Sequence, residues 1–234
     1  MQNPILVALD VATSAEALKL ARLLTSLVGG FKVGSELFTN GGPQIVRQIR
    51  ELGGSVFLDL KFHDIPNTVA KAVAAAVQLD VQMLTVHTSG GRAMLVAAEQ
   101  AAQETAQRIG RAAPLVLGVT VLTSFDANEL SEVGMEPNVG RQVERLATLA
   151  VKSGLRGLVC SPLEAAGLRA IVPSAMKLVT PGIRGPGEKL DDQKRTLSPC
   201  EALAAGADWL VIGRPIYGAP DPKAAAERIV ASVS

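Results

Sequence analysis

Eight short apolar runs, each followed by a stretch long enough for a helix, constrain the fold of this chain more than any other feature. Each run has the length of a buried strand, and the runs cover residues 5–9, 31–34, 56–60, 83–86, 115–120, 157–160, 177–180 and 209–212. They end about 20 to 40 residues apart, which leaves room for one helix in each interval. This alternation within 234 residues predicts an α/β fold, a single-domain (β/α)8 TIM barrel that covers residues 1–234.

An open, doubly wound sheet is the alternative that the same alternation allows. Dinucleotide-binding sheets of that type carry a Gly-x-Gly-x-x-Gly turn after the first strand, and this chain has no such turn there. No linker or low-complexity segment interrupts the pattern. The barrel is therefore the prediction, and it places a functional site where the strands end.

Composition argues against several classes of function. The chain carries 23 Lys and Arg against 22 Asp and Glu, and only 3% of it is aromatic, so neither a nucleic-acid surface nor a membrane surface is expected. The first ten residues lack a basic leader and predict a strand, not a signal sequence. Cys160 and Cys200 are too few for a disulfide framework and are not spaced as metal ligands, which indicates reduced thiols and a cytoplasmic protein.

The third predicted strand ends in charged residues. Side chains alternate along a strand, so Phe57, Asp59 and Lys61 share one face and Leu60 lies on the other. Burying an unpaired carboxylate or ammonium costs several kcal/mol, so the charged face must form an ion pair or open into a polar site. A structural salt bridge is the alternative, but buried ion pairs contribute little stability, which favours a functional role.

Two further charged residues lie at the ends of the first and second strands. Asp10 and Lys32 are expected to enter the barrel mouth beside Asp59 and Lys61. Each has an ordinary alternative, since Asp10 could cap the first helix and Lys32 could extend outward along apolar surface. Ammonium groups held between carboxylates stay protonated and suit a site that stabilises negative charge and then delivers a proton.

Asp64 and the two histidines are less readily assigned. Asp64 precedes Pro66, so it could cap the third helix or belong to the charged site. A metal site is not predicted, because Lys32 and Lys61 would compete with the ion for the carboxylates. His63 and His87 are not at ligand spacing, and a structural role is expected for His87.

The loops after the seventh and eighth strands predict a phosphate site. They carry Arg184 in a Gly-rich segment and the pair Gly213-Arg214, and barrels of this kind bind phosphate with these two loops. The long polar segment around 181–195 has the composition of a closing lid. The residues alone therefore predict a metal-free enzyme that anchors a phosphate ester and forms a carbanion, without naming the reaction.

The motif Asp59-x-Lys61-x-x-Asp64, with Ile65-Pro66-Asn67-Thr68 behind it, resembles the signature of the orotidine 5′-phosphate decarboxylases. The resemblance extends along the whole chain, because further segments fall in order at the expected strand ends. These segments contain Asp10, Phe31-Lys32-Val33-Gly34, Leu122-Thr123-Ser124, Thr180-Pro181-Gly182-Ile183-Arg184, Gln193 and Val211-Ile212-Gly213-Arg214-Pro215.

The resemblance implies decarboxylation of orotidine 5′-phosphate to UMP in de novo pyrimidine biosynthesis, without metal or cofactor. It implies that Lys61 donates the proton, placed by Lys32 and Asp59, and that Asp64 and Thr68 reach the active site of the partner subunit in a homodimer. The remaining implied substrate contacts are Asp10 and Lys32 at the ribose, Thr123 or Ser124 at the pyrimidine, Arg184, Gln193, Gly213 and Arg214 at the phosphate, and the run Leu60, Phe62, His63, Ile65, Pro66 and Asn67 around the motif.

Two other functions remain to be distinguished. Sister enzymes that act on sugar phosphates, such as 3-keto-gulonate 6-phosphate decarboxylase, share the Asp-x-Lys-x-x-Asp pattern and use magnesium, but they carry a carboxylate where this chain has Lys32. A catalytically silent barrel that binds nucleotides would be expected to lose part of the charged set, and this chain keeps all of it.

Overall fold

Eight parallel strands close into a barrel in chain order, in a computed structural model that describes residues 3–184 and 196–233. Every predicted strand is confirmed, with bounds shifted by at most two residues. Closure between β1 and β8 excludes the open sheet. The strands are β1 (Ile5–Ala8), β2 (Gly30–Gly34), β3 (Val56–Phe62), β4 (Met83–His87), β5 (Leu115–Val119), β6 (Gly157–Val159), β7 (Lys177–Thr180) and β8 (Trp209–Ile212).

Helices surround the barrel and connect successive strands. In the described ranges they are α1 (Ser14–Leu24), α2 (Ser35–Glu51), α3 (Pro66–Val77), α4 (Gly91–Arg108), α5 (Ala127–Glu132), α6 (Val139–Lys152), α7 (Ala165–Ile171), α8 (Pro199–Ala204), α9 (Arg214–Tyr217) and α10 (Pro222–Ala231). None of these helices has both the length and the apolar character needed to cross a membrane.

The prediction of one helix in each interval is wrong between β5 and β6, where α5 and α6 follow one another. Asp126 caps α5 through a capping box with Glu129, and Asn138 caps α6 by accepting the Arg141 N–H. Gly134, between the two helices, has a φ of 71°, which a glycine adopts without a steric penalty. Separate start signals therefore divide this long interval into two helices.

The apolar core has two layers, separated by the barrel wall. Alternate strand residues point inward and fill the barrel, and the residues between them pack under the helices. The inner set consists of Leu6, Ala8, Phe57, Met83, Leu117, Val179 and Val211. Because this filling is apolar, polar groups of the same inward face can collect only at the ends of the strands.

Candidate active site

A cavity of about 350 Å³ opens at the carboxyl ends of the strands, where the barrel fold places ligand sites. Inward-facing apolar residues such as Ala8 and Phe57 form part of its lining. The polar and charged residues that line it are Asp10, Lys32, Asp59, Lys61, Thr123, Ser124, Arg184, Arg214 and Tyr217. The charged groups predicted from separate strands thus share one cavity.

Four charged side chains form a continuous chain along one wall of the cavity. Lys32 Nζ lies 2.9 Å from Asp10 Oδ1 and 3.8 Å from Asp59 Oδ2, and Lys61 Nζ lies 2.8 Å from Asp59 Oδ1. The side chains of Lys32 and Asp59 are each 12% exposed, whereas that of Asp10 is 48% exposed. Acid and base alternate along this wall, which we call the ion chain.

The ordinary alternatives for Asp10 and Lys32 are not observed. The N-cap of α1 is Thr13, whose hydroxyl accepts the Glu16 N–H, so Asp10 does not cap that helix. Lys32 is largely buried within the cavity and does not extend outward. Both residues therefore belong to the ion chain.

Asp59 is held ionised by its neighbours. Burial alone would raise the pKa of Asp59, but the charges of Lys32 and Lys61, together with hydrogen bonds from Lys61 and Thr85, outweigh burial and lower that pKa. At neutral pH the carboxylate therefore keeps its charge beside two ammonium groups. A fixed negative charge at this place holds Lys61 at the cavity surface.

The backbone of β3 is irregular where it carries this site. Leu58 pairs with Leu84 of β4 but Phe62 pairs with Val86, so four residue steps on β3 match two on β4. Lys61, inside this bulge, has a φ of 50°, a left-handed conformation that is uncommon for a residue other than glycine. Strand parity predicted the inward direction of Lys61 but gave no sign of this bulge.

Thr85 of β4 contacts both partners of the central ion pair. Its hydroxyl accepts the Lys61 backbone N–H at 2.8 Å and donates to Asp59 Oδ1 at 3.0 Å. Sequence reasoning missed this residue, because a β-branched residue inside an apolar strand is typical of strands in general. Only knowledge of the pairing between β3 and β4 could have identified it.

The predicted phosphate-binding residues lie on the same cavity. Arg184, Gly213 and Arg214 all line it, on the loops after β7 and β8. The lack of a side chain at Gly213 lets the Tyr217 ring lie close to the backbone there, since a Cβ at this position would lie 3.2 Å from that ring. Gln193 and most of the predicted lid around 181–195 lie outside the described residues.

Thr123 and Ser124 both line the cavity, so the choice between them at the pyrimidine stays open. Besides apolar residues and glycines, the lining contains Tyr217 and the buried Cys160, neither of which was predicted as a substrate contact. Burial raises the pKa of the Tyr217 phenol, and the charge of Asp10 raises it further by a smaller amount. The signal for Tyr217 was available, because it is the only tyrosine of the chain and closely follows Gly213-Arg214.

The segment from His63 to Thr68 is exposed and does not line the cavity of its own chain. Asp64 accepts the Ile65 N–H, and the N-cap of α3 is Ile65 without a side-chain cap, so the capping alternative for Asp64 is not observed. Pro66 begins α3 as expected, and Asn67 and Thr68 lie in its first turn. Asp64 therefore does not belong to the ion chain of its own subunit.

Leu60, Phe62 and His63 also lie away from the cavity. The side chains of Leu60 and Phe62 pack against the apolar layer under the helices, on the other face of β3. The His63 ring lies 5.4 Å from the ring of His87. Burial lowers the pKa of His87, and the charges of His63 and Lys61 lower it further by smaller amounts. None of these three side chains lines the cavity of its own chain, and their substrate contacts stay predictions.

A second charged cluster lies away from this cavity, around Asp208 near the start of β8. Its carboxylate accepts hydrogen bonds from Arg169, from Lys177 Nζ at 2.8 Å and from the Leu178 N–H at 2.8 Å. Burial would raise the pKa of Asp208, but these bonds and the charge of Arg169 lower it. Within residues 3–184 and 196–233, no three His, Cys, Asp or Glu side chains form a group suited to a metal ion.

Comparison with known proteins assigns the family. The sequence model of the Orotidine 5′-phosphate decarboxylase / HUMPS family matches residues 3–229. The chain is 51% identical to the orotidine 5′-phosphate decarboxylase of Moorella thermoacetica, over 99% of this chain and 92% of that protein. It is also 51% identical to that of Opitutus terrae, over 100% and 99% of the two chains.

A solved structure gives the same assignment. The crystal structure of orotidine 5′-phosphate decarboxylase from Lactobacillus acidophilus superposes with a TM-score of 0.85 and 36% sequence identity, over 100% of both chains. The match of fold and the match of sequence both cover nearly the entire chain. The protein therefore belongs to the orotidine 5′-phosphate decarboxylase / HUMPS family.

Proposed function

We propose that the protein decarboxylates orotidine 5′-phosphate to UMP in de novo pyrimidine biosynthesis, without a metal or an organic cofactor. The observation that carries this proposal is the ion chain, which ends in Lys61 on a cavity that Arg184 and Arg214 also line. Such a cavity offers cations both to a phosphate and to a developing carbanion. The relatives from Moorella thermoacetica and Opitutus terrae are named orotidine 5′-phosphate decarboxylases, which agrees with this proposal.

The chemistry assigned to Lys61 follows from charge and proton balance. When the bond between C6 and the carboxylate carbon breaks, CO2 leaves and the electron pair stays on C6 of the pyrimidine. The Lys61 ammonium stabilises that charge and transfers a proton to C6, and the neutral amine then takes a proton from solvent. Asp59, 2.8 Å from Lys61 Nζ, and Lys32 beyond it fix the position of the ammonium before the reaction.

The rest of the substrate is assigned to the remaining lining residues. Asp10 and Lys32 bind the ribose hydroxyls, and Thr123 or Ser124 binds the pyrimidine. Arg184, Gly213 and Arg214 bind the phosphate together with Gln193, and the single barrel domain closes over it with the lid around 181–195. Phosphate binding at one end of the ligand then helps to close the site around the reacting end.

The protein is further proposed to act as a homodimer in which Asp64 and Thr68 complete the partner's site. The support is that residues 63–68 are all exposed and lie apart from the cavity of their own chain, although only Phe62 separates them from Lys61. Ile65, within this segment, leaves 65% of its surface exposed, the largest fraction among the exposed large apolar side chains of the described residues. A second copy packed at the cavity mouth would cover Ile65 and bring in Asp64.

The two cysteines, neither of which is in a disulfide, are compatible with a cytoplasmic location for the enzyme. Cys160 is buried and Cys200 is exposed, and neither forms a disulfide. Reduced thiols are the expected state in that compartment.

The activity is tested with purified protein treated with a chelator. We expect the absorbance of orotidine 5′-phosphate to fall as UMP forms, at a rate that added magnesium does not change. The matched control is 3-keto-gulonate 6-phosphate with magnesium, on which we expect no turnover. Failure to convert orotidine 5′-phosphate, or conversion only after magnesium is restored, would contradict the proposal.

The shared site is tested by mixing two inactive variants. Lys61→Ala keeps Asp64, and Asp64→Ala keeps Lys61, so a mixed dimer contains one site with both residues and one with neither. Random exchange of subunits should restore about a quarter of the wild-type sites, because half of the dimers are mixed. No recovery, with mixed dimers demonstrated by a tag on one subunit, would show that Asp64 acts only within its own chain or not at all.

A further inference from the structure

Thr85 occupies the point at which the irregular part of β3 meets the regular strand β4. It is completely buried, and its hydroxyl bonds to the Lys61 backbone N–H and to Asp59 Oδ1. A hydroxyl has a single proton. Since the Lys61 N–H is the donor in the first bond, the Thr85 proton must go to Asp59 in the second.

The first of these bonds replaces a bond that the sheet has lost. Between the pairs Leu58–Leu84 and Phe62–Val86, the ladder from β3 to β4 is interrupted. The Lys61 N–H lies in this gap, and the Thr85 side chain accepts it at 2.8 Å. The φ of 50° at Lys61 is therefore supported by a side chain of the neighbouring strand.

The second bond acts on the carboxylate of the ion chain. Asp59 Oδ1 accepts from Lys61 Nζ at 2.8 Å and from Thr85 at 3.0 Å, while Oδ2 faces Lys32 at 3.8 Å. The two bonds to Oδ1 fix the side-chain torsion of Asp59, so that Oδ2 keeps its direction toward Lys32. One hydroxyl thus fixes both the backbone that carries Lys61 and the carboxylate that holds the Lys61 ammonium.

We propose that Thr85 is a positioning residue for the reaction, whose hydroxyl sets the place of the Lys61 ammonium through the Lys61 backbone and the Asp59 carboxylate. It does not line the cavity, so it acts through these two residues and not by touching the ligand. The inference rests on the proposed function, because it assigns a role within the proton transfer. Misplacing a reacting group by about 1 Å can lower a rate by about a hundredfold.

The test is Thr85→Val, which keeps the shape of the side chain and removes the hydroxyl. We expect kcat for orotidine 5′-phosphate to fall by about tenfold to a hundredfold, with the affinity for UMP unchanged in calorimetry. Thr85→Ser should recover most of the rate because it restores the hydroxyl. If the valine variant does not fold, Thr85→Cys retains the size with a weaker donor and should give an intermediate kcat.

Thr120→Val is the matched control. Thr120 is also buried, and its hydroxyl donates to the Val159 carbonyl at 3.1 Å, away from the ion chain. We expect Thr120→Val to lower the melting temperature as Thr85→Val does, with kcat unchanged. A role for Thr85 in stability alone predicts equal kcat in the two valine variants, and that result would overturn the inference.

A pH profile gives a second readout that simple destabilisation does not move. The charged groups around Asp59 are Lys32 from β2, Lys61 on β3 and His87 from β4, and none of them changes in Thr85→Val. Losing the Thr85 bond removes one cause of the lowered pKa of Asp59, so the acid limb of kcat/KM should move to higher pH. An unmoved acid limb would contradict the inference, and a wild-type protein inactive on orotidine 5′-phosphate would refute the proposed function itself.

Discussion

Lys32 lies between two carboxylates, and the structure predicts which of them it stabilises more. The distances alone favour Asp10, at 2.9 Å against 3.8 Å for Asp59. At an effective dielectric constant of about 20 these separations correspond to about 6 and about 4 kcal/mol of Coulomb attraction. However, the Asp10 side chain is 48% exposed and that of Asp59 only 12%, so solvent screens the first pair much more than the second. We therefore expect the longer contact to be the stronger one.

Two double-mutant cycles on the free energy of unfolding measure this difference. The first combines Lys32→Met with Asp59→Asn, and the second combines Lys32→Met with Asp10→Asn. We expect a coupling of about 2 kcal/mol in the first cycle, since the Coulomb term is reduced by the desolvation of both groups, and below about 1 kcal/mol in the second. Lys32→Met alone leaves Asp59 with Lys61 and Thr85, so the single variant should still fold.

The assay is urea unfolding at neutral pH, with every variant at the same protein concentration because a dimer makes the midpoint concentration-dependent. A coupling larger for Asp10 than for Asp59 would refute the argument, because it would mean that distance and not burial determines the interaction. A first cycle with no coupling would show that the pair at 3.8 Å does not contribute in solution.

Three further predictions concern the roles assigned to single residues. Lys61→Ala should bind UMP with nearly the wild-type affinity but hardly turn over the substrate. Arg214→Ala should chiefly weaken the binding of phosphorylated ligands. Equal, mild effects of both variants in calorimetry and kinetics would contradict both roles. Asp208→Asn should lower the free energy of unfolding by about 2 kcal/mol at neutral pH with kcat/KM unchanged. The folded-state pKa of Asp208 lies below its ordinary value of 3.8, so its contribution to the free energy of unfolding is present above that value and lost as the pH falls further. In urea unfolding the variant should therefore lose less stability toward acid pH than the wild type does. An equal loss would contradict this role. Ile65→Asp should weaken the proposed dimer in sedimentation and make the activity dependent on protein concentration, and an unchanged sedimentation coefficient would contradict an interface at Ile65.

The convergence of Asp10, Lys32 and Asp59 could be predicted from the sequence because two simple rules determine it. Strand parity sets which side chains point inward, and closure of the barrel brings the carboxyl ends of all strands to one rim. Neither rule depends on details of packing. The strand bounds are confirmed for the same reason, since short apolar runs separated by helices leave few alternatives.

The placement of Leu60 and Phe62 shows what alternation along a strand adds to a motif taken as one continuous block. The resemblance implies substrate contact for the whole run from Asp59 to Thr68, whereas alternation along β3 directs both Leu60 and Phe62 to the layer under the helices. The bulge and the bonds of Thr85 depend on the register between β3 and β4, which no local pattern specifies. Strand parity alone places both Leu60 and Phe62 on the face opposite Asp59 and Lys61.

Asp59 and Asp208 show that a lowered pKa does not by itself identify a functional carboxylate. Both are partly buried, and the pKa of each is lowered by nearby cations and hydrogen bonds. The bonds around Asp208 come from Arg169, Lys177 and the backbone of β7, and the cluster does not line the active-site cavity, so its charge serves the fold. Lys61, in contrast, touches Asp59 on one side and lines the cavity on the other, with a side chain that is 34% exposed. What distinguishes the functional pair is that its cation still faces open space, where a ligand can use the charge that Asp59 holds in place.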